Sequence, residues 1–233
     1  MSKMAEPKIF VVIPAYNEEK TLAKVISELK SSGYCNIVLV DDGSQDNTSL
    51  IGLKNSIYTL RHLVNLGQGA ALRTGILFAL SQGADIIITF DADGQHQVSD
   101  IPKLVKPILQ AGVDVSLGSR FCKGAVVENI PFSRRLFLKL GIIFTRIISG
   151  IKVTDTHNGL RALSRKAAQK INISLNGMAH ASEILDEISK HKLSYVEVPV
   201  KIRYTEQSLK KGQSTLNAFK IATRVIIKKL LDW

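Results

Sequence analysis

Cysteine is nearly absent from this chain: Cys35 and Cys122 are its only two, and they do not form a Cys-x-x-Cys pair. That argues against a disulfide framework and suits a reducing cytosol. The histidines fall at no spacing that a zinc site uses, and His157 and His180 read as structural side chains. No uncharged apolar run reaches the roughly 18 residues of an ordinary membrane span. The polar opening Met1 to Lys8 has no apolar core of the kind a signal peptide needs. Internal repeats, low-complexity segments and clear linkers are missing too. The 233 residues are therefore read as one domain, 1–233.

Acidic residues are scarce where basic ones gather. The chain carries 31 Lys and Arg against 20 Asp and Glu, a net charge of +11, and most of the excess lies in its second half. Such a balance favours anionic partners: nucleic acid, anionic lipid or phosphorylated substrates. Residues 132–151 contain no acid at all, while Arg134, Arg135, Lys139 and Arg146 recur among apolar residues. Three readings fit that segment: an amphipathic helix in a membrane interface, a lid over an anionic substrate, or a core helix with a solvated basic face. Its apolar residues are aliphatics and Phe, not stacking platforms interleaved with bases, so nucleic acid is not expected as a partner. A last amphipathic helix is expected at 216–231, where Lys220, Arg224 and Lys228 stand four apart; it suits a membrane or a partner's helix.

What the chain does have is alternation. Apolar, β-branched runs at Lys8–Ile13, Asn36–Val40, Ile57–Leu63, Ile86–Phe90 and Val113–Leu117 read as strands. Helical periodicity falls between them, at Glu18–Ser32, about Asp46–Leu53, up to about Ser81, and at Ser99–Gln110. This predicts an α/β fold with a mixed, mostly parallel sheet flanked by helices. Tyr195 to Arg203 alternates as a late strand, and Pro199 within it predicts an edge position.

The stretch around which the rest is organised is Asp91-Ala92-Asp93-Gly94, which ends the Ile86–Phe90 strand. In an extended chain Asp91 and Asp93 point to the same side. Two carboxylates together repel unless a cation joins them, and a hard divalent ion such as Mg2+ or Mn2+ suits an all-oxygen pair. The alternative is a solvated acidic turn closed by Gly94. Glu18 and Asp42 also stand at or just after strand ends, where open α/β sheets bind ligands. Asp42 is placed to accept from the donors of a nucleotide, and Asn65 and Arg73 to reach that nucleotide or its phosphates. Gly67-Gln-Gly69 imitates a dinucleotide fingerprint, but it lies in the third βα unit and Leu72 occupies the third glycine position. Its glycines are read as allowing close backbone packing. Arg120, Arg134 and Arg161 lie in apolar surroundings and call for an anion, which guanidinium matches with paired hydrogen bonds.

The ordered set of motifs resembles the family 2 glycosyltransferases of the GT-A fold, in particular the dolichyl- and polyprenyl-phosphate sugar synthases. The matching stretches are Ile13-Pro-Ala-Tyr-Asn-Glu-Glu19, Asp41-Asp-Gly-Ser44, Asn65-Leu-Gly-Gln-Gly-Ala-Ala71 with Gly75, Asp91-Ala-Asp-Gly-Gln95, Gly118-Ser-Arg120, Asp155 through Gly159-Leu-Arg-Ala162, and Lys211-Gly-Gln-Ser214. The resemblance implies an inverting transfer of a hexose from a UDP- or GDP-sugar to a polyprenyl phosphate. It assigns Pro14, Tyr16, Glu18 and Asp42 to the nucleoside. Asp91, Asp93 and Gln95 would hold Mg2+ or Mn2+ on the diphosphate, and Arg120 and Arg134 would clamp the acceptor phosphate. Asp155 and Glu183 are the candidate catalytic or acceptor-orienting carboxylates. The expected place is the cytoplasmic face of a membrane, held peripherally, through a separate membrane subunit or as a homo-oligomer. Many relatives continue into membrane spans beyond the catalytic domain, whereas this sequence ends at Trp233. His157-Asn158 departs from the usual pair of that motif, which leaves sugar and acceptor open. A saccharide or other hydroxyl acceptor, as in cell-envelope polysaccharide synthesis, is the alternative, and a non-catalytic nucleic-acid- or anion-binding module a more distant one.

Overall fold

The computed structural model describes residues 6–128, 142–143, 146 and 149–203. Arg134, most of segment 132–151, Lys211 to Ser214 and the helix expected at 216–231 lie outside the described residues.

Among the described residues, seven strands form the main sheet: β1 (Ile9–Ala15), β2 (Ile37–Asp41), β3 (Tyr58–Arg61), β4 (Ile86–Thr89), β5 (Val115–Ser119), β7 (Arg161–Ser164) and β8 (Tyr195–Pro199). Their order is β3-β2-β1-β4-β7-β5-β8. All pairs are parallel except those of β7, which runs antiparallel between β4 and β5. β6 (Val126–Glu128) and β9 (Lys201–Arg203) make a separate parallel pair. Among the described residues the helices with stated bounds are α1 (Glu19–Ser31), α2 (Thr48–Lys54), α3 (Gln68–Ser81), α4 (Ile101–Ala111), α5 (Arg165–Lys170) and α6 (His180–Lys190). Among the described residues, no helix is long and apolar enough to cross a membrane.

The alternation of β1 shows why both faces are covered. Val11 and Ile13 join Leu22, Val25, Ile26 and Leu29 of α1 and Leu104 of α4 in one core. Phe10 and Val12 point the other way, into a core with Leu72 and Ile76 of α3 and Ile184, Leu185 and Ile188 of α6. The α1 residues recur at helical spacing and form one buried stripe. Each fully buried Leu or Ile contributes about 1.5–3 kcal/mol. Ser164 caps α5, its hydroxyl accepting from the Ala167 N–H at 3.1 Å.

Three expectations are corrected. The first strand does not end at Ile13; β1 runs on to Ala15, with Pro14 opposite Val40. The Tyr195–Arg203 strand is two strands: β8 lies at the sheet edge as Pro199 suggests, and after Val200 the chain crosses to β9. The short strand β7 was not anticipated; it is inserted antiparallel by pairing Arg161 with both Thr89 and Leu117. The sheet order changes direction at β1, with β2 on one side and β4 on the other. A crevice opens at the carboxyl ends of strands at such a point.

Candidate active site

A cavity of about 440 Å³ occupies that crevice. Pro14, Tyr16, Glu18, Asp42, Asn65, Gln68, Asp91, Asp93, Gln95, His96, Arg120 and His157 all line it. The strand order puts Asp42, after β2, and Arg120, after β5, on opposite flanks of the carboxylates that follow β4.

On the β2 flank, Asp42 is buried and heavily bonded. Its Oδ1 accepts from His62 Nδ1 at 2.7 Å and from the Leu66 N–H at 3.0 Å; its Oδ2 accepts from the Gly67 N–H at 2.7 Å. Parallel pairing of β2 with β3 brings His62, just past Arg61, beside the end of β2. Gly67 leads into α3 with φ of +106°, and a Cβ there would stand 2.4 Å from the Asn176 carbonyl oxygen. The glycines of this loop therefore serve close backbone packing, as read from the sequence.

In the centre, Asp91 and Asp93 both face the cavity. Asp91 accepts from Gln68 Nε2 at 3.0 Å and from His96 Nε2 at 2.9 Å. Burial alone would raise the Asp91 carboxyl, but the His96 hydrogen bond and the charges of His96, His180 and Arg161 hold it below the usual carboxylate range. Asp93 goes the other way: burial, then the charge of Asp91, push it above that range. Its Oδ1 accepts from the Gln95 N–H at 3.0 Å across the Gly94 turn, and the Gln95 amide lies against Oδ2. Gly159 packs directly on Asp91; a Cβ there would stand 2.1 Å from Oδ2.

This centre fits a divalent cation. Two carboxylates and an amide oxygen are hard donors, and the one left uncompensated, Asp93, is destabilised by its neighbour's negative charge. Among the described residues no group of three or more His, Cys, Asp or Glu is placed to hold a metal ion. An ion at Asp91 and Asp93 would have to take its remaining oxygens from phosphate and water.

On the β5 flank, Arg120 reaches the cavity already anchored by Asp155. Burial would raise the Asp155 carboxyl, yet the Arg120 guanidinium holds it well below the usual range. His157 lines the cavity, and burial followed by the Arg120 charge lowers it to about 4.

Glu183, Arg161 and Arg73 do not line the cavity. Glu183 holds the loop ahead of α6, accepting from the Ser174 and Leu175 N–H groups at 2.9 Å each. Arg161 is buried in β7, donates to the Thr156 carbonyl at 3.4 Å, and is lowered to about 10 by burial against the opposing charges of Asp91 and Asp155. Arg73 is exposed and donates to the Ile173 carbonyl at 3.4 Å. His62, Gln68, His96 and Gly159 are site residues that the sequence reading did not single out. For His62 a usable signal existed, since it lies near the end of the predicted strand Ile57–Leu63, beside the one ending in Asp41-Asp42.

The family described as Glycosyl transferase family 2 matches residues 10–171. An uncharacterized protein, MJ1222, of Methanocaldococcus jannaschii is 43% identical over 99% of this chain and 96% of its own length. A UDP-N-acetylglucosamine–dolichyl-phosphate N-acetylglucosaminyltransferase of Methanococcus voltae is 37% identical over 97% of this chain and 98% of its own. Among solved structures, the Mycobacterium tuberculosis glucosyl-3-phosphoglycerate synthase with UDP superposes with a TM-score of 0.74 over 97% of this chain and 80% of that one. At 20% identity that likeness shows the fold, a GT-A architecture.

Proposed function

The chain belongs to glycosyl transferase family 2, and from that premise we propose that it is a metal-dependent, inverting transferase. It moves a hexose from a nucleotide-diphosphate sugar to a polyprenyl phosphate at the cytoplasmic face of a membrane. The observation that carries this reading is the make-up of one cavity: Asp42 on one flank, Asp91 and Asp93 in the centre, Arg120 on the other.

Asp42 accepts from the nucleoside, with Pro14, Tyr16 and Glu18 forming the wall beside it. Asp91, Asp93 and Gln95 hold Mg2+ or Mn2+. When bound, that ion offsets the negative charge that grows on the leaving diphosphate. His96 and Gln68, also in the cavity wall, orient Asp91 through its two oxygens, as groups beyond the ligands of a metal commonly do. Arg120, steadied by Asp155, meets the acceptor phosphate. Such a phosphate is already ionised and needs no strong base. A hydroxyl acceptor would need one, and neither Asp155 nor Glu183 lines the cavity to serve. His157 does line it, but held near 4 it is a weak base. The phosphate acceptor is supported instead by Arg120 in the cavity wall and by the dolichyl-phosphate acceptor in the name of the Methanococcus voltae relative. The basic segment 132–151 and the apolar-basic sequence at 216–231 are our proposal for the contact with the membrane or with a membrane subunit.

The test offers purified protein UDP- and GDP-sugars, Mn2+ and vesicles carrying polyprenyl phosphate. Sugar recovered in the lipid phase is the expected result. Turnover onto soluble saccharides with no need for lipid would sink the reading.

A further inference from the structure

We propose that Glu197 is a positioning residue for Arg120, holding both the chain that carries this arginine and the carboxylate that clamps it. The inference rests on the reading of Arg120 as the residue that meets the acceptor phosphate. Glu197 itself does not line the cavity; it lies on β8, the edge strand of the sheet.

The pairing of β5 with β8 sets Glu197 opposite Leu117. Side chains alternate along a strand, so Glu197 and Ser119 share one face of the sheet. An ionised carboxylate only accepts, and every hydrogen bond to it therefore runs inward. Oε1 of Glu197 accepts from the Thr154 N–H and the Thr154 hydroxyl at 2.8 Å each, and from the Asp155 N–H at 3.1 Å.

Two arms lead from that oxygen to Arg120. In the first, the Thr154 hydroxyl has committed its proton to Glu197, so toward the Ser119 hydroxyl, 2.7 Å away, it accepts. Ser119 Oγ, donating to Thr154, is then the acceptor for the Phe121 and Cys122 N–H groups at 3.2 Å each. These bonds fix the turn on both sides of Arg120. In the second arm, the Asp155 N–H is held by Glu197 while the Asp155 carboxylate takes the Arg120 guanidinium and the Arg120 N–H. Ser119 and Asp155 are buried, so bulk water does not replace a partner lost here. One carboxylate oxygen thus sets the sense of the first arm and the anchor of the second.

The experiment measures two affinities of the intact protein by calorimetry. The donor side is probed with the tighter-binding of UDP and GDP, with Mn2+. The acceptor side is probed with farnesyl phosphate, a short soluble polyprenyl phosphate. Glu197→Ala removes both arms and should weaken farnesyl phosphate by about tenfold or more, with nucleotide affinity within about twofold of the parent. Glu197→Gln keeps an acceptor oxygen but loses the charge that strengthens its bonds, and should restore part of the affinity. Thr154→Val cuts the first arm alone and should weaken farnesyl phosphate by about threefold. With vesicle-borne polyprenyl phosphate, the same variants should raise the acceptor KM and spare the donor KM. A merely structural role would lower the folded fraction, and with it kcat, without this split. Parent-like farnesyl phosphate binding in a folded Glu197→Ala or Glu197→Gln overturns the proposal, as does an equal fall in both affinities. If Arg120→Ala abolishes farnesyl phosphate binding while Glu197→Ala keeps it, the acceptor reading stands and this inference fails. A parent that binds nucleotide but no farnesyl phosphate removes the acceptor reading and the inference with it.

Discussion

Arg120 and Asp155 form a two-pronged ion pair, Nε to Oδ2 and Nη2 to Oδ1, each at 2.6 Å. Asp155 is itself held in place: the Arg120 N–H donates to its Oδ2 at 3.0 Å, and Glu197 of β8 accepts from its own N–H at 3.1 Å. The carboxylate therefore works on Arg120, and through it on whatever anion enters the cavity. Asp155→Ala should strand a buried guanidinium and cost about 3–5 kcal/mol of stability. Asp155→Asn keeps the shape and is the better probe of mechanism. It should raise the KM for the phosphate acceptor by about tenfold or more while leaving donor KM within about twofold, because only Arg120 is loosened. A fall in kcat alone, with acceptor KM unchanged, would point instead to Asp155 as a group acting on the reacting atoms.

Gly159 is where the chain after residue 155 comes closest to the carboxylate centre. Any side chain there meets Asp91, whose Oδ2 would be 2.1 Å from the new Cβ. Asp91 is pinned by Gln68 and His96 and has little room to retreat. Gly159→Ala should overpack the site by about 1–3 kcal/mol. It should lower kcat/KM by at least about tenfold through a misplaced Asp91, since small displacements at a reacting centre are costly. Steady-state kinetics on a variant with an unchanged circular dichroism spectrum checks this. Full activity would mean that the centre tolerates movement of Asp91.

The sequence made the frame legible wherever a segment carries its own signal. Long β-branched runs marked β1, β2 and β4, and the spacing of Leu22, Val25, Ile26 and Leu29 marked α1. Strand β7 had no such signal: it is four residues long, opens with Arg161, and is a strand because β4 and β5 pair with it. The cavity carboxylates were legible because they follow strand ends directly. The uses of Asp155 and Glu183 were not, because their partners come from 35 and 8–9 residues away. A carboxylate in an apolar stretch looks the same whether it meets substrate, guanidinium or a loop's N–H groups.

His180 gives the fold a sign-specific response to acid. It is buried, faces Arg161, Asp91 and Glu183, and is lowered to about 4 by burial first and the Arg161 charge second. An unfolded histidine titrates near 6.5. Between those values the unfolded chain binds the proton and the folded chain does not. The stability is therefore complete above pH 6.5 and is lost as pH falls toward 4. For this one group the loss from pH 7.5 to 4.5 is about 2–3 kcal/mol. His157, with part of its surface in the cavity, adds less in the same direction. Urea unfolding of His180→Gln at the two pH values should show a dependence flatter by about that amount. A variant as acid-sensitive as the parent would place the titration elsewhere.

Asp93 separates a metal site from an ordinary acidic turn. Burial and the charge of Asp91 raise its carboxyl, which means that the ionised form is disfavoured by its surroundings at neutral pH. Removing that charge should relieve the protein, whereas a bound cation should relieve it more. In the absence of divalent ions, Asp93→Asn should therefore melt at or above the temperature of the parent. Adding Mn2+ with nucleoside diphosphate should raise the parent's Tm by about 5 °C or more, as a ligand well above its Kd does for a chain of this size. The variant should gain little, because its amide is a poor replacement for a charged oxygen ligand. Chelation should return the parent to its starting Tm. Equal gains in parent and variant would take Asp93 out of the metal site and leave Asp91 to be tested in the same way.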